Sequence, residues 1–171
     1  PVDRVALKRN LAAWQEALAP AVDASGRLTG ERGWNSCYWD NHDQPRAINR
    51  FCDPDRFRYE SAAMLATAIH LMRGTPYIYM GEEIGMSDPG YTSIEDYVDV
   101  EARNAFIELL QEGREADEAF RIVHAKARDN ARTPMQWDAS TGAGFTDGTP
   151  WLRPTDQAEV NVIREEASGR I

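Results

Sequence analysis

Two cysteines in 171 residues, Cys37 and Cys52, are too few for a disulfide framework. Neither has the clustered Cys/His spacing of a zinc site, so no metal and no cofactor is implied. They read as free, partly buried thiols in a reducing, cytoplasmic compartment, with a single bridge as the alternative. Long apolar runs are missing too. No segment approaches the ~20 residues that span a bilayer, and no signal-peptide pattern opens the chain, so no membrane partner is expected. Positive charge is in deficit, with 19 basic against 28 acidic residues and a formal charge of −9. Such a surface repels phosphate backbones, and no basic patch relieves it, which argues against nucleic acid and for neutral substrates. Internal repeats and low-complexity segments are absent. An initiating methionine is absent as well, since the chain begins Pro1-Val2-Asp3, and the expectation is of a piece trimmed or cut from something longer.

What is present suits a globular protein: 42% hydrophobic and 27% charged residues. Leu7, Leu11, Trp14 and Leu18 recur at helical spacing and predict an amphipathic helix from Asp3 to Ala19. Asp23 to Arg27 is turn material. Trp34 to Trp39 reads as a short strand that stops at the polar run Asp40-Asn41-His42-Asp43-Gln44-Pro45-Arg46. Phe57 to Arg73 predicts a helix so apolar around its circumference that it should be buried, capped by Gly74 and ended by Pro76. Tyr77-Ile78-Tyr79-Met80 is a second short strand running into Gly81-Glu82-Glu83. Two further helices are predicted at Ile94–Gln111 and Ala116–Ala127. An irregular stretch follows from Arg128 to Pro154, and 157–171 carries no clear signal.

Helix, strand, helix, strand, helix is the order of a parallel α/β fold. Two strands of about four residues cannot close a sheet, and their edges would stay uncovered. The pattern therefore describes a portion of a larger barrel or open sheet, helix-rich as a fragment and prone to self-association if isolated. In such folds chemistry gathers where strands end, and both predicted strands end in acidic residues. Taken alone, Asn41 to Arg46 fits a turn with capping side chains as well as a site.

The motifs make the chain specific. Asn41-His42-Asp43-Gln44-Pro45-Arg46 resembles the strand-seven motif of the α-amylase family, family 13 of the glycoside hydrolases. Gly74-Thr75-Pro76-Tyr77-Ile78-Tyr79-Met80-Gly81-Glu82-Glu83-Ile84-Gly85-Met86 resembles its strand-eight segment. Arg128-Asp129-Asn130-Ala131-Arg132-Thr133-Pro134-Met135-Gln136-Trp137-Asp138 resembles a loop of the oligo-1,6-glucosidase and α-glucosidase branch. The three stand in the family's order. The resemblance implies the C-terminal part of a (β/α)8 barrel spanning 1–171, with strand seven near 35–40, strand eight near 77–80 and an active-site loop over 128–154. It also implies an α-glucosidase that retains configuration, acting on short α-1,6- or α-1,4-linked gluco-oligosaccharides.

Retaining hydrolysis needs a carboxylate nucleophile and a carboxylic acid. In this family both lie before the segment seen here, so the missing N-terminal part of the barrel becomes an implied partner. What the resemblance assigns to this chain is the third carboxylate, Asp43, which grips vicinal sugar hydroxyls and stabilises the oxocarbenium-like transition state. His42 is implied as a donor to the same glucose, and at least one of Arg128 and Arg132 as a pocket-lining guanidinium. Glu101 is implied on the acceptor-sugar side, against a solvated helix face as the plain alternative. Glu82 and Glu83 are adjacent on a strand end, so at most one can face a site. Trp34, Trp39, Trp137 and Trp151 read as core or loop anchors before sugar platforms. The same resemblance extends to transglucosylases and sugar isomerases. It extends also to non-catalytic ectodomains of transporter heavy subunits, against which the intact His42-Asp43 pair and the missing anchor speak.

Overall fold

The computed structural model describes residues 2–30 and 33–169. Asp3 caps the first helix, α1 (Arg4–Ala17), its carboxylate accepting from the amides of Val5 and Ala6 at 3.0 Å. Leu7, Leu11 and Leu18 are half-buried along one face, whereas Trp14 is exposed. Gln15 on the same face docks the helix: its amide donates to the Arg73 carbonyl and its oxygen accepts from the Arg73 amide. Arg73 in turn donates to the Gly33 carbonyl, just ahead of the first strand.

Strand β1 (Ser36–Tyr38) pairs in parallel with β2 (Thr75–Tyr77), in the register Ser36 to Thr75, Cys37 to Pro76 and Tyr38 to Tyr77. The second strand thus lies two residues upstream of the stretch the sequence favoured. Its partner ends at Tyr38, so Ile78 to Met80 have no ladder to join. The crossover consists of a short helix, α2 (Ala47–Phe51), and the long α3 (Pro54–Leu71). Asp53 caps α3 and Pro54 opens it, three residues before the predicted start. The earlier boundary escaped the periodicity because Phe57 interrupts the first turn with φ −142° and ψ 47°. The expectation that this helix is buried all round does not hold. Ser61, Leu65 and Ile69 are buried, but Met64 is 50% and Leu71 82% exposed, because only one face meets another element among the described residues.

The predicted helix from Ile94 to Gln111 divides in two. A 3-10 turn at Ile94–Asp96 is closed by Tyr97 in extended conformation, and α4 (Val100–Gln111) restarts on its own cap, Asp99. Two N-caps six residues apart, Ser93 in a capping box with Asp96 and then Asp99, favour two starts over one continuous helix. Helix α5 (Ala116–His124) packs on α4 around Tyr91, Tyr97, Ala102, Val123, Ala127 and Leu152. The region 128–154 is irregular apart from a 3-10 turn at Arg128–Ala131, and α6 (Val162–Ala167) gives structure to the segment that had no clear sequence signal. The final part of that segment, 170–171, lies outside the described residues. Cys37 and Cys52 are free thiols. Among the described residues no helix is long and apolar enough to cross a membrane.

Gly74 fixes how closely the crossover returns to β1. Its φ is +151°, and a β-carbon there would lie 2.6 Å from both the Asn35 carbonyl oxygen and the Cys37 sulfur. The contact to backbone cannot be relieved by a side-chain rotation. Gly74→Ala should therefore destabilise the fold by about 1–3 kcal/mol, read as a lowered midpoint of denaturant unfolding.

Candidate active site

The polar run after β1 turns away at once. Asn41 accepts from the Asp43 amide at 2.8 Å, an Asx turn that lifts His42 and Asp43 clear of the surface. Both side chains are accessible, 69% exposed for His42 and 52% for Asp43, and they face each other with Nε2 and Oδ2 3.2 Å apart. Arg132 approaches from the far side of the chain. Its Nε donates to the His42 carbonyl at 2.7 Å and its Nη2 reaches Asp43 Oδ1 at 3.1 Å. Arg128 stands further off, 3.9 Å from the same carboxylate oxygen.

Arg128 is committed elsewhere. Its Nε and Nη2 bind the two oxygens of Asp99 at 2.9 and 2.7 Å, and Nη2 is also 3.0 Å from Glu101. This fork-on-fork pairing holds the Asp99 carboxyl below its usual range and raises Arg128 further. His42, Asp43, Glu101, Arg128 and Arg132, from three parts of the sequence, thus form one chain of polar and ionic contacts beside the strand end. The arginines leave the 3-10 turn at Arg128–Ala131, between which Asp129 and Asn130 are wholly buried. Asn130 is tied down by the Tyr97 hydroxyl, which donates to it at 2.9 Å, and itself donates to the His124 carbonyl.

Beneath the exposed cluster lies a buried one that the sequence reading passed over. Asp40, the last residue before the turn, accepts from the amide of Ala47 at 2.6 Å and so caps α2 across the loop. Its own amide donates to Glu82 at 2.9 Å. Glu83 turns the other way, accepting from the Gly81 amide, so the adjacent glutamates do face differently. Burial, reinforced by the Asp40 charge, pushes the Glu82 carboxyl up to about 7. Burial also lifts Asp88 to about 7. Arg46 is fully buried between these groups. It donates to the Met80 carbonyl, lies 5.4 Å from the Tyr79 ring centroid, and its backbone amide donates to Asp88 at 2.7 Å. One side chain therefore joins the two motif segments. Gly81 is required beside it, because a β-carbon there would lie 2.9 Å from Arg46 Nη1 and the backbone has φ +94°. The available signal for this cluster was the charge of Asp40 and Arg46 close after an apolar strand, where burial would require polar partners. Among the described residues no group of three or more His, Cys, Asp or Glu side chains is placed to hold a metal ion. Trp34, Trp137 and Trp151 are exposed, while Trp39 donates to the Leu65 carbonyl at 2.8 Å as a core anchor.

Paired parallel strands, a helical crossover and carboxylates gathered where the strands end describe a portion of an α/β enzyme domain. The α-amylase catalytic-domain model matches residues 3–170, and the chain belongs to that family. It is 48% identical to an oligo-1,6-glucosidase of Halalkalibacterium halodurans over 95% of this chain and 27% of that protein. Among solved structures it is similar to trehalose-6-phosphate hydrolase of Bacillus licheniformis, with a TM-score of 0.86 and 44% identity over 96% of this chain and 28% of that one. A variant of isomaltulose synthase from Erwinia rhapontici NX5, in complex with its natural substrate sucrose, is 43% identical with a TM-score of 0.73. That likeness covers 79% of this chain and 25% of the synthase. The chain spans about a quarter of the length of the relatives it matches.

The elevated Glu82 and Asp88 make stability depend on pH. Between their ordinary values, 4.5 for Glu82, and about 7, the folded protein retains protons that the unfolded chain has released. The stabilisation is complete below that window and is lost as pH rises through about 7. Glu82→Gln keeps an acceptor for the Asp40 amide and a donor toward its carboxylate without titrating. Thermal midpoints measured across pH 4.5–7 should fall less steeply for this variant than for the parent, Asp88 and the other buried carboxyls, Asp40 and Asp156, keeping part of the slope and buried His124 opposing it.

Proposed function

We propose that this chain is the C-terminal part of the catalytic barrel of a retaining α-glucosidase, with β1 and β2 as its strands seven and eight. Its substrates on this reading are short α-1,6- or α-1,4-linked gluco-oligosaccharides. The observation that carries the reading is Asp43, an accessible carboxylate at a strand end, flanked by His42 and steadied by Arg132, in a chain 48% identical to an oligo-1,6-glucosidase.

Each residue has a role that its surroundings suit. Asp43 has Oδ2 toward His42 and Oδ1 toward Arg132, and neighbouring sugar hydroxyls that donate to it give short, charge-assisted bonds. Those bonds strengthen as the anomeric carbon becomes cationic, which is where transition-state stabilisation arises. His42 offers a ring nitrogen to the same sugar. Of the two arginines, Arg132 is the one that reaches the glucose, because Arg128 is already bound in a fork to Asp99. Arg128 instead presents Glu101 toward the acceptor sugar. The nucleophile and the general acid come from the remainder of the protein. The exposed faces of β2, Met64, Leu71 and Ile78 are the surfaces that remainder would cover. Hydrolysis and glucosyl transfer to a second sugar share this pocket, and the products formed from isomaltose, maltose and sucrose separate them.

In the full-length protein, Asp43→Asn should lower kcat on an α-glucoside by roughly 10²–10³-fold, the range for removing one transition-state stabilising group. Undiminished turnover would dismiss the proposed role. The 171-residue chain by itself should show no hydrolysis of a nitrophenyl α-glucoside above the uncatalysed rate, since positioning a sugar leaves the bond-breaking barrier in place. Sustained turnover by a preparation shown free of other glucosidases would contradict the assignment of nucleophile and acid to the missing part.

A further inference from the structure

Asp129 lies between the two arginines in sequence and beneath both in space. It is 0% exposed, so its charge is tolerable only with close partners. Its Oδ2 accepts from the amides of Val98 and Asp99, at 2.9 and 2.8 Å, at the start of α4. That grip places the Asp99 backbone from which the Arg128 fork is built. Its other oxygen, Oδ1, has no hydrogen bond among the described residues and faces Arg132 Nη1 at 3.6 Å. The Arg132 guanidinium is therefore suspended between two carboxylates, with Nη1 toward buried Asp129 and Nη2 toward exposed Asp43.

We propose that Asp129 is a positioning residue for the sugar site, drawing Arg132 back so that Asp43 remains free to accept sugar hydroxyls. The inference rests on the α-glucosidase reading above and names a residue that acts through Arg132 without touching substrate. The physical reason is competition. An arginine that shares its charge between two carboxylates binds neither fully, whereas one left with a single carboxylate collapses onto it. Without the Asp129 charge, Arg132 pairs with Asp43 alone, and the substrate has to displace it. The oxygen without a hydrogen bond is what this arrangement needs, since a tight pair with Asp129 would pull Arg132 out of the site.

Asp129→Asn is nearly isosteric. Its amide oxygen can still accept from Val98 and Asp99 while its NH₂ turns toward Arg132, so the anchor persists and the attraction is lost. In the full-length protein, KM for an α-glucoside should rise about tenfold with kcat within about threefold, because the defect is competition at the binding carboxylate. A merely structural role would reduce the fraction of active molecules instead, lowering kcat at unchanged KM, and that outcome would overturn the inference. Combining Asp129→Asn with Arg132→Gln provides a second readout. The double variant should be no worse than Arg132→Gln alone within about twofold, since the two act through one contact. Losses that multiply would overturn the proposal. If Arg132→Gln itself leaves kcat/KM unchanged, the sugar-site reading fails with it, whereas an impaired Arg132→Gln beside an unaffected Asp129→Asn condemns the positioning role alone. Should Asp129→Asn not fold, Asp129→Ser removes the same charge with less bulk, and the same shift in KM is required of it.

Discussion

The Arg132 guanidinium joins the turn after β1 to the loop that begins at Arg128, and does so more closely than Arg128 itself. It leaves a loop nearly ninety positions away in sequence, binds the carbonyl of His42 through Nε, and reaches Asp43 through Nη2. A turn as short as Asn41–Asp43 has few contacts of its own, and the His42 and Asp43 side chains are exposed, so its geometry depends on what is brought to it. The supply comes from a rigid base. Asn130 is held by Tyr97 and His124, Asp129 by the start of α4, and the α4/α5 core of Tyr91, Tyr97, Val123 and Leu152 lies beneath. A well-packed support under a polar, accessible surface is the usual requirement for a precise site.

The second constraint is burial of charge at the strand ends. Arg46 is wholly enclosed, with Asp40, Glu82 and Asp88 around it. Desolvation of this kind is costly, and replacing such networks with apolar residues often stabilises a protein. The network does something apolar packing cannot. Through the Met80 carbonyl and the Asp88 carboxylate it ties the segment after β2 to the loop after β1, and Asp40 caps α2 in the same stroke. Two strands of three residues have only a short ladder to fix their relation, so side-chain bonds across their ends carry much of that load.

What the sequence revealed, and what it concealed, follows from the range of each interaction. Asn41 to Arg46, the strand-eight segment and the Arg128 loop were legible because they are contiguous and specific, and they led to the family to which the chain belongs. The α1 helix was legible from its periodicity, and α4 and α5 were expected, although α4 begins six residues after the predicted start. Strand two was placed two residues late because its register is set by β1, which local pattern does not encode. The burial of α3 was overestimated because apolar composition says how much surface wants cover, not whether cover is present. Asp99 was within reach of local reasoning, as an N-cap ahead of an apolar helix, but its bond to Arg128 spans twenty-nine positions. Asp129 was visible only as an acid between two arginines, where a surface salt bridge is the natural assumption. Its complete burial reverses that meaning.

The balance of charge around Asp43 bears on the chemistry this surface can favour. Asp43, Asp99, Glu101 and Asp129 supply four carboxylates against the two guanidiniums of Arg128 and Arg132, all linked by contacts of 4 Å or less. The arginines orient the carboxylates without neutralising them as a group. A neutral sugar carries no net charge for such a field to repel, and its hydroxyls can replace the water it displaces from the carboxylates. A ring that becomes cationic at its anomeric carbon gains from it, and gains most at the moment of bond cleavage. The overall charge of −9 acts in the same direction but is screened within about a Debye length in physiological salt, roughly 8 Å. On the proposed α-glucosidase reading, it is the local surplus, held in place by Arg132 and Arg128, that discriminates transition state from ground state.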